Sequence, residues 1–269
     1  MKASATNRWQ CAWLGLCLGA CLPLFAAAHS FANDPPATPP LNVLVTVNAA
    51  SYAPRLAPGA IAALFGTKLT ERAQVAASIP LPTDLDDVGV RLIDSRNVDY
   101  SAPLFFVSPG QINYLMPDRI ALGEARIFVI RDTELIAQGT LLITNSAPAL
   151  FTFSANGKGV PTALTTFDGE NFASVTDGKG AWRAVEPSTA QRSNFLLLFG
   201  TGFRYARKLR VLIGEVELKP VYAGAQGALA GLDQINLELP PDLPGGLVKL
   251  QIISDGYSSN IVQLQLADS

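Results

Sequence analysis

Two short motifs occur twice along the chain, and this repetition restricts the protein to folds that can be built from two similar units. Leu-Phe-Gly-Thr occupies residues 64–67 and recurs at residues 198–201. Gln-Ile-Asn follows in each half, at residues 111–113 and at residues 234–236. Because both motifs keep the same order with similar spacing, we predict two related domains. The predicted domains cover residues 41–146 and residues 147–269.

Apolar and polar residues alternate along many short segments, which is typical of strands with one buried face and one solvated face. The alternation is strict over residues 235–239, 248–252 and 262–266. Glycine and proline separate such segments, so we predict antiparallel β-sandwiches. Further strands are expected over residues 41–47, 60–65, 88–93, 104–107, 127–130, 141–144, 195–199, 209–213 and 216–222. One short helix is predicted over residues 70–78, with Thr70 as its N-cap.

A glycine follows the repeated Leu-Phe pair in each half, at Gly66 and at Gly200. We expect the chain to turn sharply at both positions. A positive φ there would explain the glycine, because a Cβ atom strains that backbone conformation.

The first 32 residues have the pattern of an export signal. Lys2 and Arg8 precede an apolar run over residues 11–28, and small residues follow near its end. We predict that residues 1–32 are cleaved as a signal peptide, which places the folded part outside the cytoplasm. A proline-rich linker is predicted over residues 33–40, where four prolines favour an extended chain.

A lipoprotein is the alternative form of export. Residues 18–21 read Leu-Gly-Ala-Cys and resemble a bacterial lipobox, in which Cys21 would be acylated. The apolar run continues beyond Cys21, whereas a lipoprotein usually becomes polar there. Only in this alternative would the mature protein be attached to a membrane.

Cysteine and histidine are confined to the predicted signal peptide, where Cys11, Cys17, Cys21 and His29 are found. A mature chain without a thiol or an imidazole cannot perform Ser-His-Asp or Cys-His catalysis, and it lacks cysteine and histidine ligands for a metal. The sequence also contains no Walker loop, dinucleotide-binding glycine motif or EF-hand. A net charge of -2 argues against a nucleic-acid partner. We therefore predict a non-enzymatic protein without a cofactor or metal.

Paired carboxylates are the catalytic alternative, because glycoside hydrolysis needs only two acids. Asp84, Asp86 and Asp87 cluster before Val88. Their position between Pro82 and a predicted strand is more typical of a solvated loop.

The repeated motif supplies the first candidates for ligand contact, namely Gln111, Asn113, Gln234 and Asn236. Residues two apart on a strand face the same side, so each pair could present its amides to a sugar or a peptide. The alternative is structural: the amides would bond to loop backbone and fix the corner that follows. The sequence favours this structural interpretation.

Further candidates lie in the second half. Arg204, Arg207, Lys208 and Arg210 form a basic run that could contact an anionic polysaccharide, lipid headgroups or an acidic partner. A solvated loop is the alternative for this run. Trp182 could stack on a sugar ring, although we expect it to be buried against the second sandwich.

Several motifs together resemble a known family. Residues 48–51 read Asn-Ala-Ala-Ser, residues 108–113 read Ser-Pro-Gly-Gln-Ile-Asn, and residues 231–236 read Gly-Leu-Asp-Gln-Ile-Asn. In this combination the chain resembles the acidobacterial C-terminal domain family of exported proteins. More remotely, Pro58-Gly59 before an apolar strand resembles immunoglobulin-like IPT/TIG domains. The resemblance implies an exported β-sandwich module with no assigned chemistry. Together with the internal repeat, it predicts an all-β chain of two tandem immunoglobulin-like antiparallel β-sandwich domains.

These observations predict an exported, non-catalytic module for binding or structural interaction outside the cell. The expected partner is an extracellular protein or a polysaccharide. The alternatives are a carbohydrate-active enzyme or accessory subunit that uses carboxylates, and a lipid-anchored envelope component.

Overall fold

A computed structural model describes residues 42–268. The predicted signal peptide, the linker and the lipidation candidate Cys21 lie outside the described residues. They stay predictions from the sequence.

The described residues form twenty-three β-strands and no helix. The prediction of an all-β fold is therefore confirmed. In the first half the strands are β1 (Asn42–Val43), β2 (Val45–Asn48), β3 (Arg55–Leu56), β4 (Ile61–Phe65), β5 (Gln74–Val75), β6 (Asp84–Leu85), β7 (Val88–Ile93), β8 (Asp99–Ser101), β9 (Leu104–Val107), β10 (Gln111–Leu115), β11 (Gly123–Arg131) and β12 (Glu134–Ile143). In the second half they are β13 (Ala149–Leu150), β14 (Ala163–Thr166), β15 (Ala173–Ser174), β16 (Phe195–Thr201), β17 (Leu209–Ile213), β18 (Val216–Leu218), β19 (Tyr222–Ala225), β20 (Asp233–Glu238), β21 (Gly246–Ser254), β22 (Tyr257–Ser258) and β23 (Val262–Leu266).

The first half consists of two sheets. One has the order β2-β4-β10-β9-β5, and the other has the order β1-β12-β11-β7-β6, with β3 beside β12 and β8 beside β7. In the letters used for immunoglobulin sandwiches, strands β2, β4, β10 and β9 correspond to A, B, E and D. Strands β7, β11 and β12 correspond to C, F and G. The pairings are antiparallel except where β1 and β3 run parallel to β12.

The second half has the same arrangement. One sheet has the order β15-β14-β16-β20-β19, with β13 beside β16, and it again corresponds to A-B-E-D. The other contains β18-β17-β21, with β22 and β23 beside β21, and it corresponds to C-F-G with an added edge strand. No sheet in the described part of the chain contains strands from both halves.

The two repeated motifs pair with each other within each half. Leu64 lies opposite Ile112 on neighbouring strands, and Leu198 lies opposite Ile235 in the same way. Both isoleucines are fully buried. The equal strand order and equal register support the interpretation of a duplicated unit, which itself stays a prediction.

Each half has its own hydrophobic core between its two sheets. Burial of a large apolar side chain stabilises a fold by roughly 1.5–3 kcal/mol. Two cores of many such side chains can therefore stabilise the fold without a disulfide. The largest buried side chains of the first core include Leu56, Leu92, Ile112, Tyr114 and Met116. Those of the second include Leu150, Leu198, Phe203, Ile235 and Leu250.

The predicted helix over residues 70–78 is wrong. Within this segment Gln74 and Val75 form β5, which pairs with the end of β9. The Thr70 hydroxyl does accept the backbone N–H of Arg72, as an N-cap would, but the chain then extends along the sheet edge. A short isolated helix is unfavourable because few hydrogen bonds offset the cost of ordering its first turn. Pairing with β9 gives the same backbone its hydrogen bonds in an extended conformation.

The two halves are joined by hydrogen bonds at their junction. The Thr201 hydroxyl accepts the backbone N–H of Ile61 at 2.9 Å and donates to the carbonyl of Gly231 at 2.7 Å. The Asn48 side chain donates to the carbonyl of Ala147 at 3.2 Å. Thr201 and Asn48 are both buried. These bonds position the first half against the second.

Candidate ligand-binding groove

An open groove of about 1240 Å³ lies where the two halves meet. The first half contributes Pro58, Asp118, Leu122 and Asn145, and the second half contributes two loops and part of the C-F-G sheet. We call this feature the inter-domain groove. Half of its lining residues are charged. Several of them come from the basic run that the sequence singled out.

Tyr205 joins the two walls of the groove. Its hydroxyl donates to Oδ1 of Asp118 in the other half at 2.9 Å. The side chain nevertheless stays 52% exposed, so one region of the ring faces solvent. Partial burial and the Asp118 carboxylate both raise the pKa of Tyr205, which keeps the phenol protonated and able to donate. The aromatic ring is thus held at a fixed place.

Asp255 fixes the backbone of the basic run. Its carboxylate accepts the backbone N–H groups of Arg207 at 3.1 Å and Lys208 at 2.8 Å. It also accepts the side-chain amide of Asn145 from the first half at 3.1 Å. The positive φ of Asp255 and of Gly256 forms the tight turn that brings this carboxylate to the loop.

The cations of the groove differ in how they are neutralised. Arg210 pairs with Glu217 at 3.2 Å, and both side chains are at least half exposed, so the pair is weak. Arg207, Lys208 and Lys219 are exposed and have no carboxylate within ion-pair distance among residues 42–268. The groove lining thus holds four cations and three carboxylates, and Arg207, Lys208 and Lys219 are the cations without an ion-pair partner in the described chain.

Arg204 does not line the groove with its neighbours. Its guanidinium is only 12% exposed and donates to the buried Asp233 carboxylate at 2.6 Å and to the carbonyl of Leu232 at 3.1 Å. Burial raises the pKa of Asp233 to about 6, although Arg204 and the backbone N–H of Phe203 act in the opposite direction. Arg204 is thus held by the protein itself and connects a loop to strand β20.

The repeated amides bond to each other. Nε2 of Gln111 donates to Oδ1 of Asn113 at 2.8 Å, and Nε2 of Gln234 donates to Oδ1 of Asn236 at 2.7 Å. The prediction that residues two apart share a face holds, but the side chains make no bond to a loop backbone within the described chain. The pairs lie on the A-B-E-D sheets and do not line the groove.

Trp182 is 42% exposed, so the expectation that it is buried against the second sandwich is wrong. Trp182 and Thr176 form an antiparallel β-bridge that closes a turn. In that turn the Asp177 carboxylate accepts the backbone N–H groups of Lys179 and Ala181. Trp182 thus belongs to a hydrogen-bonded turn at the surface. Trp182 does not line the groove.

The carboxylate cluster of the catalytic alternative forms a hairpin turn. Asp86 and Asp87 both have a positive φ and connect β6 to β7, as a two-residue hairpin loop requires. Nε of Arg72 donates to the Asp86 carboxylate at 2.8 Å and holds the pKa of Asp86 below its usual value. This geometry agrees with the loop interpretation for Asp86 and Asp87, whereas Asp84 lies in strand β6 opposite Gly89.

The groove residues that were not among the sequence candidates include Tyr205, Asp118, Asn145, Lys219 and Asp255. Tyr205 stands inside the basic run, so its position in the sequence was a usable signal. Asp118, Asn145 and Asp255 are brought to the groove from distant parts of the chain, and no local pattern marks them.

In the described part of the chain, no cluster of acidic, histidine or cysteine side chains is arranged to hold a metal. The same part contains no helix with the length and apolar character needed to cross a membrane.

No protein-family model matches the sequence. No curated protein matches it either. Among solved structures, SGBP-B of a mixed-linkage glucan utilization locus of Bacteroides ovatus, in complex with a heptasaccharide, is 12% identical, with a TM-score of 0.33 over 80% of this chain and 43% of that chain. SGBP-B of a xyloglucan utilization locus of Bacteroides uniformis is 12% identical, with a TM-score of 0.26 over 84% and 49%. Bovine butyrophilin is 9% identical, with a TM-score of 0.26 over 84% and 98%.

This chain spans less than half the length of the first two structures. At such TM-scores and identities, these likenesses carry no argument about function.

Proposed function

We propose that the protein is an exported, non-catalytic module of two β-sandwich domains that binds an extracellular ligand in the inter-domain groove. The observation that carries the proposal is the groove itself, whose walls come from both halves and three of whose four basic residues have no ion-pair partner in the described chain. The predicted export signal over residues 1–32 and the resemblance to acidobacterial exported proteins support the proposal of a location outside the cytoplasm.

The groove is organised before any ligand arrives. The bond from Tyr205 to Asp118 and the bond from Asn145 to Asp255 both link one half to the other. A ligand that binds to a prearranged site loses less affinity to the ordering of protein loops. A tandem arrangement with a fixed junction is therefore suited to recognition.

The carboxylates of the groove have partners within the protein. Asp118 accepts Tyr205, Asp255 accepts backbone N–H groups, and Glu217 pairs with Arg210. A glycosidase needs two carboxyl groups that face its substrate. These contacts orient the three carboxylates towards protein groups, and we therefore propose binding rather than catalysis for the groove.

Binding can be tested with the exported protein on a panel of immobilised neutral and acidic polysaccharides and on intact bacterial cells. We expect a ligand whose affinity falls at least about tenfold, or about 1.4 kcal/mol, in the double variant Tyr205→Ala/Lys208→Glu. Lys249→Glu reverses an exposed charge outside the groove and should leave affinity unchanged.

Equal binding by the wild type and the groove variant would reject this site. Turnover that disappears when a single carboxylate is replaced would instead support the enzyme alternative. The intact mass of the exported protein tests the location: we expect a start near His29 or Asn33, whereas an acylated Cys21 start would support the lipoprotein.

A further inference from the structure

The unpaired cations of the groove indicate the charge of its ligand. Arg207 and Lys208 are adjacent on one loop, and Lys219 lies beyond strand β18 on the same groove. Positive charges lining a concave surface reinforce one another and attract anions. Asp118, Glu217 and Asp255 keep their negative charge and oppose part of this attraction, and four cations against three carboxylates leave the lining with a small positive excess.

Tyr205 adds an apolar surface to these charges. Its hydroxyl is occupied by Asp118, so the ring and not the polar tip is the part available to a ligand. A half-exposed aromatic ring in a fixed position can pack against the apolar C–H face of a sugar ring. Cations beside such a ring can then reach acidic groups on the same sugar or its neighbours.

A peptide suits this groove less well. An extended peptide would need a free sheet edge, and the edge strand nearby, β18, has three residues and is followed by Lys219 and Pro220. Short length, charge and proline are features that prevent strand addition. A helical peptide would need a continuous apolar groove, whereas the apolar lining residues here, Pro58, Leu122, Leu209 and Ile253, are interspersed with seven charged ones.

We propose that the inter-domain groove binds an acidic polysaccharide, with the Tyr205 ring against a sugar and with Arg207, Lys208 and Lys219 paired to its acidic groups. This inference rests on the proposed function and adds the class of the ligand. Guanidinium and ammonium groups pair with carboxylates and with sulfates, so the acidic group can be of either kind.

The test compares four soluble polymers: polygalacturonate, dextran sulfate, neutral dextran and polyglutamate. Binding is measured by affinity electrophoresis and calorimetry with the exported protein, from about 0.05 M to about 0.5 M salt, where screening of exposed charges increases strongly. We expect polygalacturonate or dextran sulfate to bind, neutral dextran not to bind, and affinity to fall at least about tenfold across the salt range. Tighter binding of polygalacturonate would identify carboxylates as the acidic groups, and tighter binding of dextran sulfate would identify sulfates.

The variants separate charge from stacking. Arg207→Glu/Lys208→Glu and Tyr205→Ala should each lower affinity at least about tenfold, while Tyr205→Phe should retain most of it because the ring remains. Lys249→Glu is the matched control. The charge variants keep the backbone N–H groups that Asp255 accepts, and equal melting temperatures will show that the fold is intact.

Each remaining outcome overturns the inference in a distinct way. If polyglutamate binds as well as the acidic polysaccharides and Tyr205→Ala has no effect, the partner is an acidic protein. A neutral polysaccharide that depends on Tyr205 but not on the cations would leave the proposed function intact. If neither acidic polymer binds, the proposed ligand class is rejected. If the affinity of every ligand that binds is unchanged in all groove variants, the proposed function is rejected as well.

Discussion

At the scale of single residues, Gly200 shows why a glycine can be required without an unusual backbone. The sequence suggested a sharp turn at Gly66 and Gly200, but neither is among the glycines with a positive φ, and Gly202 has it instead. A Cβ atom on Gly200 would lie 2.2 Å from the carbonyl oxygen of Ala149. The constraint is thus the close approach of two backbone segments.

We expect Gly200→Ala to lower the free energy of unfolding by more than about 2 kcal/mol, because strand β13 would have to move away from β16. Gly66→Ala is the matched variant. Its Cβ would meet the end of the Leu69 side chain at 2.8 Å, which can shift, so its cost should be smaller. Denaturant unfolding of both variants measures the difference. Equal stability of Gly200→Ala and the wild type would contradict the explanation.

A second prediction at this scale concerns Asp94, a fully buried carboxylate in the first half. Burial alone would raise its pKa, but backbone N–H groups of Ala121, Val98 and Arg96 together hold the pKa below its usual value. A carboxyl group with a lowered pKa stabilises the fold at neutral pH, and that contribution is lost as the pH falls below the ordinary value.

We expect Asp94→Asn to lower the free energy of unfolding at neutral pH, because the new amide N–H₂ would face backbone donors. The difference between variant and wild type should shrink as the pH falls below about 4. Unfolding measured across this pH range provides the check, with Asp177→Asn, on an exposed turn, as the control. A difference that is independent of pH would contradict the role of the charge.

At the scale of elements, the two Gln-x-Asn pairs occupy equivalent strands but different surroundings. Asn113 is 5% exposed, whereas Asn236 is only partly buried. Gln111→Ala would leave the buried oxygen of Asn113 without its donor, while water can replace the donor at Asn236. We expect a loss of roughly 1–3 kcal/mol for Gln111→Ala and a smaller loss for Gln234→Ala. Thermal melting compares the two variants. An unchanged melting temperature for Gln111→Ala would contradict the structural role and favour a role of these amides in ligand binding.

Strands with regular alternation were predictable from the sequence. The predicted bounds of β7, β9, β17 and β23 agree with the structure. The failures lie where sheet pairing, rather than local pattern, decides the conformation. Residues 70–78 pair through β5 at a sheet edge, and the short strands β14 and β15 lie in a loop-rich stretch without alternation.

The candidate site was predictable only in part for the same reason. The basic run identified Arg207, Lys208 and Arg210, which do line the groove. It could not distinguish Arg204, because the buried carboxylate that holds its guanidinium comes from a distant strand. Asp118 and Asn145 come from the other half, so only the folded junction reveals them.

At the scale of the whole molecule, the arrangement of the two halves depends on a few buried polar contacts. Thr201 has a fully buried side chain and is bonded to both Ile61 and Gly231. It belongs to strand β16 of the second half, while Ile61 begins strand β4 of the first. A change at Thr201 should therefore affect the junction and leave each core intact.

Thr201→Val keeps the branched shape of the side chain and removes the hydroxyl, so the N–H of Ile61 and the carbonyl of Gly231 lose their partner. We expect a loss of roughly 1–3 kcal/mol and faster hydrogen exchange at the Ile61 amide. Thr166→Val is the matched control, since the Thr166 hydroxyl bonds only within its own loop. Exchange at Ile61 should be unchanged in that variant, because the junction is untouched. Equal protection of Ile61 in Thr201→Val and the wild type would mean that other contacts hold the halves together, and the groove would then be expected to survive this substitution as well.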